Sequence, residues 1–300
     1  MIDYPAFEAV FAIDQEGSFE RAARRLGVTP SAISHRVRSL EERIGAIVLV
    51  RGSPCRATEA GRRICRHMER LRLIEADLAA TDPAAVGGGG PRRATVRIVV
   101  NSDSLATWLM PALATIAGRP DRLLDIAIED QDHARDWLER GETDAAVTAS
   151  PKPAAACDVH PLGALRYRAT ASPDFVAAHF PGGVTREALA KAPCLVFNRK
   201  DALQDRWMDD RFAARLQPPS HRLPSTTGFV EASLSGIGWG LNPEPLVAGH
   251  LASGALVELV PGTPVDTDLY WQVSRSTAFL LEDLTRAIRA AARAALFQTT

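Results

Sequence analysis

Capping residues divide the first 45 residues into three short helices, and this capping pattern constrains the fold more than any other feature. The predicted helices cover residues 4–16, 19–26 and 30–44, with Pro30 at the first position of the third. Their boundaries carry N-capping hydroxyls and C-terminal glycines, at Ser18 and Thr29 and at Gly17, Gly27 and Gly45. The sequence therefore predicts a helix, a tight turn and a second helix near the amino terminus.

The third helix separates an apolar stripe from a face of short and positive side chains. At about 100° per residue, the stripe contains Ile33, Val37, Leu40 and Ile44. The opposite face carries Ser31, Ser34, His35 and Arg38, with Arg36 on its flank. Such a face can enter the major groove of DNA without acidic repulsion from the phosphates. We expect Ser34 and Arg38 to contact bases.

A predicted two-stranded wing follows, and the surrounding segment is strongly basic. AIVLVRGSPCRAT forms two short strands about a turn at Gly52–Pro54, which would present Arg51 and Arg56 to the DNA backbone. Residues 18–66 contain eleven arginines and four glutamates, although the whole chain has a net charge of −1. This local excess is typical of a polyanion partner, but a solvated arginine-rich face would show the same count.

FERAARRLGVTPSAISHRVRSLEERIGAIVLVR and RATEAGR resemble the winged helix-turn-helix of LysR-type transcriptional regulators, over about the first 65 residues. The matching positions are Ala22, Ala23, Leu26, the run Thr29–Ser34, Leu40–Glu41, and Thr58 with Ala60–Gly61. Phe19–Glu20–Arg21 departs from the small residues that many members have there. The resemblance implies a non-enzymatic regulator that binds double-stranded promoter or operator DNA and contacts RNA polymerase.

A long helix and a glycine-rich tether are predicted next. Residues 59–81 place apolar side chains every three or four positions, at Ile64, Met68, Leu71, Ile74 and Leu78. That stripe could pack on its own domain, but we favour pairing with a second copy, and the resemblance implies the same homodimer, with a tetramer as a further assembly. Residues 82–93, DPAAVGGGGPRR, read as a flexible tether.

Beyond residue 93, predicted strands alternate with helices, which indicates an α/β domain with a mainly parallel sheet. SLATWLMPALATIAG is predicted as one helix. In LysR-type regulators this region is an effector domain with two lobes like those of periplasmic binding proteins. The expected fold is therefore an α+β multidomain chain with a winged helix-turn-helix at 1–58, a dimerising linker helix at 59–81 and an effector domain at 94–300. Its first lobe would comprise residues 94–164 and 268–300, and its second lobe residues 165–267.

Polar residues at strand ends predict where that domain binds its ligand, because ligands of α/β sheets lie at the carboxyl ends of strands. The candidates are Ser102, Asp103, Ser104, Glu129, Asp130, Thr148, Asn198, Thr226 and Thr227, with Trp108 one turn into the first helix. Hydroxyls and helix starts suit a carboxylate, and three acids suit ammonium or guanidinium groups. A basic amino acid carries both. The peptide NSDSLATW has a simpler interpretation in which Asp103 or Ser102 only caps a helix, and Trp108 could equally be a core residue.

NSDSLATWLMPAL, IED and FPGGVTREALAKAP resemble the subgroup of LysR-type regulators that controls lysine and arginine export. The resemblance implies a sensor of cytoplasmic lysine or arginine that switches an exporter gene. The main alternative is a LysR-type regulator for another small molecule, such as an aromatic or other organic acid. An amino-acid hydrolase using His133 with Ser102 or Ser104 lacks any catalytic signature.

The remaining patterns argue against a resident cofactor. The four cysteines show no C-x-x-C spacing and the seven histidines no H-x-x-x-H pair, so reduced thiols and no metal site are expected. GIGWG at 236–240 follows a helical segment and precedes Pro243, which is typical of a helix end rather than of a dinucleotide-binding loop. The start of the chain shows no basic leader and no apolar run of membrane-spanning length, so we expect a cytoplasmic protein without a membrane partner and without the export signal of a periplasmic receptor.

Overall fold

The computed structural model describes residues 2–82, 93–119, 121–213 and 216–298. It divides into two units, one of Met1–Val96 with Pro120–Leu123 and one of Arg97–Arg119 with Leu124–Thr300. Residues 83–92 of the predicted tether, which spans 82–93, lie outside the described residues. In the described part of the chain, no helix combines the length and the apolar character needed to cross a membrane.

Three capped helices open the first unit: α1 (Tyr4–Glu16), α2 (Phe19–Leu26) and α3 (Pro30–Ile44). The Ser18 hydroxyl accepts the N–H of Arg21, and the Thr29 hydroxyl accepts that of Ala32. Each helix ends at a glycine in the left-handed conformation, at Gly17, Gly27 and Gly45. The predicted helix boundaries are confirmed, because these capping contacts are local in sequence.

Two short strands and a long helix complete this unit. Strands β1 (Leu49–Val50) and β2 (Arg56–Ala57) pair antiparallel, and helix α4 spans Glu59–Thr81. The Ala57 N–H donates to the carboxylate of Asp14 in α1 at 2.7 Å. Gly61 lies so close to the backbone that a Cβ there would overlap the carbonyl oxygen of Val48. The wing is thus held between the end of α1 and the start of α4.

The apolar stripe of α4 serves two environments. Ile64 and Met68 are buried in the core of the first unit, and Leu71 packs against that core. Ile74 and Leu78 are exposed by 44% and 45%. The first half of the stripe therefore packs on its own domain, and the second half presents apolar surface, for which pairing with a second copy stays a prediction.

The second unit is built on a seven-stranded sheet, with strand order β10-β6-β11-β5-β3-β4 and β9 paired to β6. The strands are β3 (Ala94–Val100), β4 (Arg122–Ile128), β5 (Ala145–Thr148), β6 (Cys157–Ala171), β9 (Gly240–Pro243), β10 (Val257–Glu258) and β11 (Val265–Ser274). A separate parallel pair consists of β7 (Cys194–Val196) and β8 (Ser220–Arg222). The helices are α5 (Ser102–Thr107), α6 (Met110–Ala117), α7 (Ala134–Glu139), α8 (Pro173–His179), α9 (Arg186–Leu189), α10 (Leu203–Phe212), α11 (Thr226–Leu234), α12 (Glu244–Ser253) and α13 (Glu282–Ala295).

Two expectations about this unit are wrong. The predicted single helix over SLATWLMPALATIAG is two helices, α5 and α6, because Pro111 has no N–H for a continuing helix and sits in the first turn of α6. The sheet is not mainly parallel: β3 pairs parallel with β5, but β6 pairs antiparallel with β9, β10 and β11, and β11 does so with β5. The longest contact in the sheet is the antiparallel one between β6 and β11, which covers ten residue pairs. Antiparallel pairing therefore predominates in this sheet.

The long strands β6 and β11 carry the predicted lobe boundaries. Ala164 pairs with Asp268, and Leu165 pairs with Thr267, so both boundaries fall at one level of the ladder. Close by, Gly163 has a positive φ of 114°, and the register shifts after Leu269. The division into two lobes stays a prediction, with these two strands as its connection.

Candidate functional site

Two groups of polar residues are candidates for function, one in each unit. The first is the outer face of α3 with the wing, and the second is a cavity in the second unit.

Packing fixes which face of α3 is outward. Ile33, Val37 and Leu40 are buried, so Ser31, His35 and Arg38 on the other side are exposed, and Ser34 and Arg36 are half-buried. Ile44, predicted to continue the apolar stripe, is 44% exposed because it is the last residue of the helix. Within the described ranges, neither Arg36 nor Arg38 forms an ion pair, so both charges are available to an external anion.

The two wing arginines are exposed and lie against different neighbours. The Arg51 guanidinium is 5.5 Å from the ring centroid of Phe19, a cation–π distance. Arg56 donates to the backbone oxygen of Asp14 at 3.2 Å. The wing therefore presents two positive charges, one beside α2 and one beside α1, and their contact with phosphate stays a prediction.

The second candidate is a cavity of about 120 Å³. One buried water occupies roughly 10–15 Å³ of such space, so the cavity suits a ligand of several heavy atoms. The lining comes from strand ends and helix starts: Asn101, Ser102, Asp103, Ile128, Glu129, Asp130, Gln131, Asp132, Phe197, Asn198, Asp201, Ala202, Leu203, Gln204, Arg206, Thr226, Phe229, Leu241 and Pro243.

Asp103 is held by two hydroxyls that come from distant parts of the chain. Its Oδ2 accepts from the Tyr167 hydroxyl at 2.8 Å, and its Oδ1 accepts from the Thr226 hydroxyl at 2.7 Å. The Thr226 hydroxyl also lies 2.8 Å from the Ser102 hydroxyl, and its single proton goes to only one of these oxygens. The carboxylate is thus fixed in place beside the cavity.

Neither Asp103 nor Ser102 caps the helix that follows. The N-cap of α5 is Asn101, and it makes no side-chain capping bond. The capping interpretation of NSDSLATW is therefore wrong, because the Asp103 carboxylate is directed toward Tyr167 and Thr226 instead.

Burial and neighbouring charge shift the pKa of several cavity groups. Burial raises the pKa of Asp103, against the effect of its two hydroxyl donors, and the nearby Asp201 and Asp130 raise it further. Burial also raises the pKa of Asp130. The same burial, with the Asp103 charge, holds the pKa of Tyr167 well above its usual value, so Tyr167 keeps the proton of this hydrogen bond.

Glu129 differs from the other two acids because a lysine compensates its charge. Partial burial would raise the pKa of Glu129, but the N–H of Asp130 and the Lys200 ammonium together lower it. Lys200 Nζ lies 3.2 Å from Glu129 Oε1. Among the described residues, five carboxylates and one guanidinium, that of Arg206, line the cavity. Its charge therefore favours a cationic ligand.

The structure gathers six of the predicted ligand residues around the cavity: Ser102, Asp103, Glu129, Asp130, Asn198 and Thr226. The other four are not in its lining. Ser104 and Trp108 are buried in the protein interior, and the buried Thr148 hydroxyl accepts from Gln272 instead. Thr227 is exposed, with its hydroxyl 3.4 Å from that of Ser225.

Sequence reasoning missed several residues of this site. Asp201 and Gln204 follow β7 closely, so the strand-end rule that selected Asn198 could have been extended to them. Asn101 directly follows β3, so the same rule could have selected it. Tyr167 had no signal, because it lies inside a strand and 64 residues from Asp103.

The described residues contain no group of three histidine, cysteine or acidic side chains arranged to hold a metal ion. All four cysteines are free thiols.

Comparison with known proteins gives two family matches. Residues 5–62 match the model described as bacterial regulatory helix-turn-helix protein, lysR family, and residues 89–295 match the LysR substrate binding domain. Among curated proteins, the HTH-type transcriptional regulator ArgP of Pseudomonas aeruginosa is 43% identical, over 97% of this chain and 96% of its own.

Two solved structures resemble the chain over nearly its whole length. ArgP from Mycobacterium tuberculosis has a TM-score of 0.83 and 40% identity, covering 100% of both chains. LysG from Corynebacterium glutamicum, solved with bound effector Arg, has a TM-score of 0.73 and 33% identity, covering 99% of this chain and 100% of its own. These matches and the site geometry point to the same class of protein.

Proposed function

The chain belongs to the LysR family of bacterial transcriptional regulators, and from this premise we propose that its cavity senses a basic amino acid, lysine or arginine. The family is non-enzymatic, which removes the hydrolase hypothesis. One observation carries the proposal: five carboxylates and a single guanidinium line the cavity. A ligand with a net positive charge neutralises that excess, and the similar LysG protein was solved with arginine.

The alternative effector, an aromatic or other organic acid, would place a further negative charge among these carboxylates. Like charges within a partly buried site repel strongly because screening by water is weak there. Arg206 alone could pair with such an anion, and it would still face Asp103, Asp130 and Asp201. The charge of the lining therefore favours the basic amino acid.

The proposed ligand contacts are the carboxylates of Asp103, Glu129, Asp130 and Asp201 for the cationic groups. We assign the ligand carboxylate to the donors of Arg206 and the neighbouring polar residues. The polar side chains of Ser102, Asn198 and Thr226 would complete the wall of the cavity around the ligand. No resident cofactor takes part in this recognition.

On the DNA side, we propose that α3 reads promoter bases through Ser34 and Arg38, aided by Ser31, His35 and Arg36. Arg51 and Arg56 of the wing would contact phosphates. The exposed Ile74 and Leu78 of α4 support a homodimer through this helix, which would carry two such faces to one operator. The regulated gene would encode an amino-acid exporter, and the protein would act in the cytoplasm with RNA polymerase as a further partner and a tetramer as a further assembly.

We propose that ligand binding acts by shifting a population of conformations. Closure of the two predicted lobes around the amino acid would change the arrangement of the dimer and the spacing of its DNA-reading helices. A DNA bend angle and footprint that stay the same at saturating lysine and arginine would contradict this mechanism.

Calorimetric titration of the full chain tests the sensing proposal. Wild type should bind L-lysine or L-arginine and not benzoate. Asp130→Asn should weaken that binding by about 10- to 100-fold, because a charge-assisted hydrogen bond contributes roughly 1.5–3 kcal/mol.

The matched control is Asp210→Asn, since Asp210 lies exposed on α10 and does not line the cavity. This variant should bind like wild type. Binding of benzoate, or equal affinities for Asp130→Asn and Asp210→Asn, would contradict a cation-selective cavity.

A further inference from the structure

A lysine of the protein itself pairs with one of the acids that line the cavity. Lys200 Nζ lies 3.2 Å from Glu129 Oε1. The two residues come from distant parts of the chain, since Glu129 directly follows β4 and Lys200 lies in the loop after β7. Glu129 belongs to the lining of the cavity and Lys200 does not. A cation of the protein therefore already compensates a charge that is offered to the ligand.

The loop after β7 fixes the backbone of Lys200 but leaves its side chain largely in solvent. Asn198 Oδ1 accepts the N–H groups of Lys200 and Asp201 at 2.7 and 3.2 Å. Asp201 Oδ2 in turn accepts the N–H of Phe197 at 2.8 Å. The Lys200 side chain is 48% exposed, and within the described ranges its ammonium forms no second ion pair. The ammonium can thus leave Glu129 for water while the hydrogen bonds of the loop stay intact.

The neighbouring acid carries no such cation. Asp130 also lines the cavity, and its Oδ1 accepts the N–H of Asp132. In the part of the chain that the structure describes, Asp130 forms no ion pair, so a cationic group of the ligand can approach it without displacing a charge. At Glu129 the same group meets a compensated carboxylate. Binding there gains little until the Lys200 ammonium moves away.

We propose that Lys200 is an internal competitor of the ligand, whose ammonium holds Glu129 until a cationic group of arginine or lysine displaces it. The exchange forms one ion pair at the expense of another. Lys200 therefore lowers the affinity of the cavity and raises the ligand concentration at which it fills. Ion pairs of exposed side chains are weak, which limits this effect to about two- to fivefold. The inference rests on the proposed function, because it concerns the regulation of that same site.

The test compares arginine affinities by calorimetric titration of the full chain. Lys200→Met removes the ammonium and keeps an unbranched side chain. Arg199→Met is the matched control, because Arg199 is the adjacent exposed cation of the same loop and does not line the cavity. Arg199 also forms no ion pair with any described residue. Both variants remove one positive charge near the acids, but only Lys200→Met releases Glu129.

Lys200→Met should bind arginine about two- to fivefold more tightly than wild type, and Arg199→Met should stay within about 1.5-fold of wild type. The gain should depend on Glu129. In a Glu129→Gln background, the change Lys200→Met should therefore alter arginine affinity by less than about 1.5-fold, because no carboxylate remains to be released.

Weaker arginine binding in Lys200→Met would overturn the proposal, since Lys200 would then hold the carboxylate of the ligand. An unchanged affinity would overturn it as well. An equal gain in Arg199→Met, or in the Glu129→Gln background, would also overturn it by showing a general effect of charge. Failure of wild type to bind either arginine or lysine is a different result, which contradicts the proposed function and removes the basis of this inference.

Discussion

Replacing Tyr167 with phenylalanine removes one hydroxyl and leaves the volume of a buried side chain almost unchanged. That hydroxyl donates to Asp103 Oδ2 at 2.8 Å, and Tyr167 is 1% exposed. A hydrogen bond to a charged acceptor contributes about 1.5–3 kcal/mol. The free energy of unfolding of the second unit should fall by that amount at neutral pH. For a unit of this size the melting temperature should drop by roughly 3–12 °C.

The pH dependence of this loss has a definite sign. Burial already raises the pKa of Asp103, and losing a donor to its ionised form raises the folded-state pKa further. The ionised carboxylate then destabilises the variant as pH rises through that pKa, whereas at lower pH the carboxyl is protonated. The difference between Tyr167→Phe and wild type should therefore shrink on acidification, toward the 0.5–1.5 kcal/mol, roughly, of a neutral hydrogen bond.

Scanning calorimetry of the full chain at neutral and acidic pH measures both effects. Tyr270→Phe is the matched control, because Tyr270 is a half-buried tyrosine of β11 without a hydrogen bond from its hydroxyl to any described residue. A double-mutant cycle with Asp103→Asn isolates the pair. A coupling energy below about 0.5 kcal/mol, or a loss equal to that of Tyr270→Phe, would refute the assignment of this hydrogen bond.

Three further predictions concern other parts of the molecule. Gly61→Ala should unfold or strongly destabilise the first unit, because the added methyl group overlaps the carbonyl oxygen of Val48. The control is Gly249→Ala, at an open helical position, which should leave stability unchanged or raise it by about 1 kcal/mol in the same thermal melt. Arg38→Ala should cost roughly 1–3 kcal/mol in specific DNA binding, and an unchanged base preference in this variant would mean that α3 is oriented differently. Arg51→Ala should weaken binding to all DNA sequences alike and reduce the salt slope by about one in gel-shift titrations. Arginine affinity should fall on acidification, because the raised pKa of Asp103 favours its neutral form at acidic pH. Calorimetry at acidic pH in two buffers of different ionisation enthalpy should therefore show protons released on binding, and identical heats in both buffers would contradict this.

Features fixed by neighbouring residues were predictable from the sequence. The three helices of the first unit begin and end where Ser18, Thr29 and the glycines place them, because a cap needs only residues within one turn. The strand-end rule likewise brought Asp103, Glu129 and Asp130 to one cavity, since it depends on the order of strands and helices rather than on exact packing.

Features that depend on distant parts of the chain were not predictable. The pairing of Tyr167 with Asp103 joins a mid-strand tyrosine to the first turn of a helix 64 residues away. Whether Trp108 lines a cavity or fills a core depends on what packs over it, and the structure buries it. The antiparallel course of β6 and β11 is equally invisible to hydrophobic periodicity, because a buried strand shows the same pattern in either direction.

The course of β6 and β11 also determines which movements the second unit can make when a small molecule binds. A ribbon of two strands with ten residue pairs resists stretching and sliding, because every ladder bond opposes them. It yields most readily to torsion, and the left-handed Gly163 beside the register shift at Leu269 concentrates that compliance at one level. Any movement carried by this ribbon would therefore be a rotation about its own axis, with Gly163 at the level where the ladder is irregular.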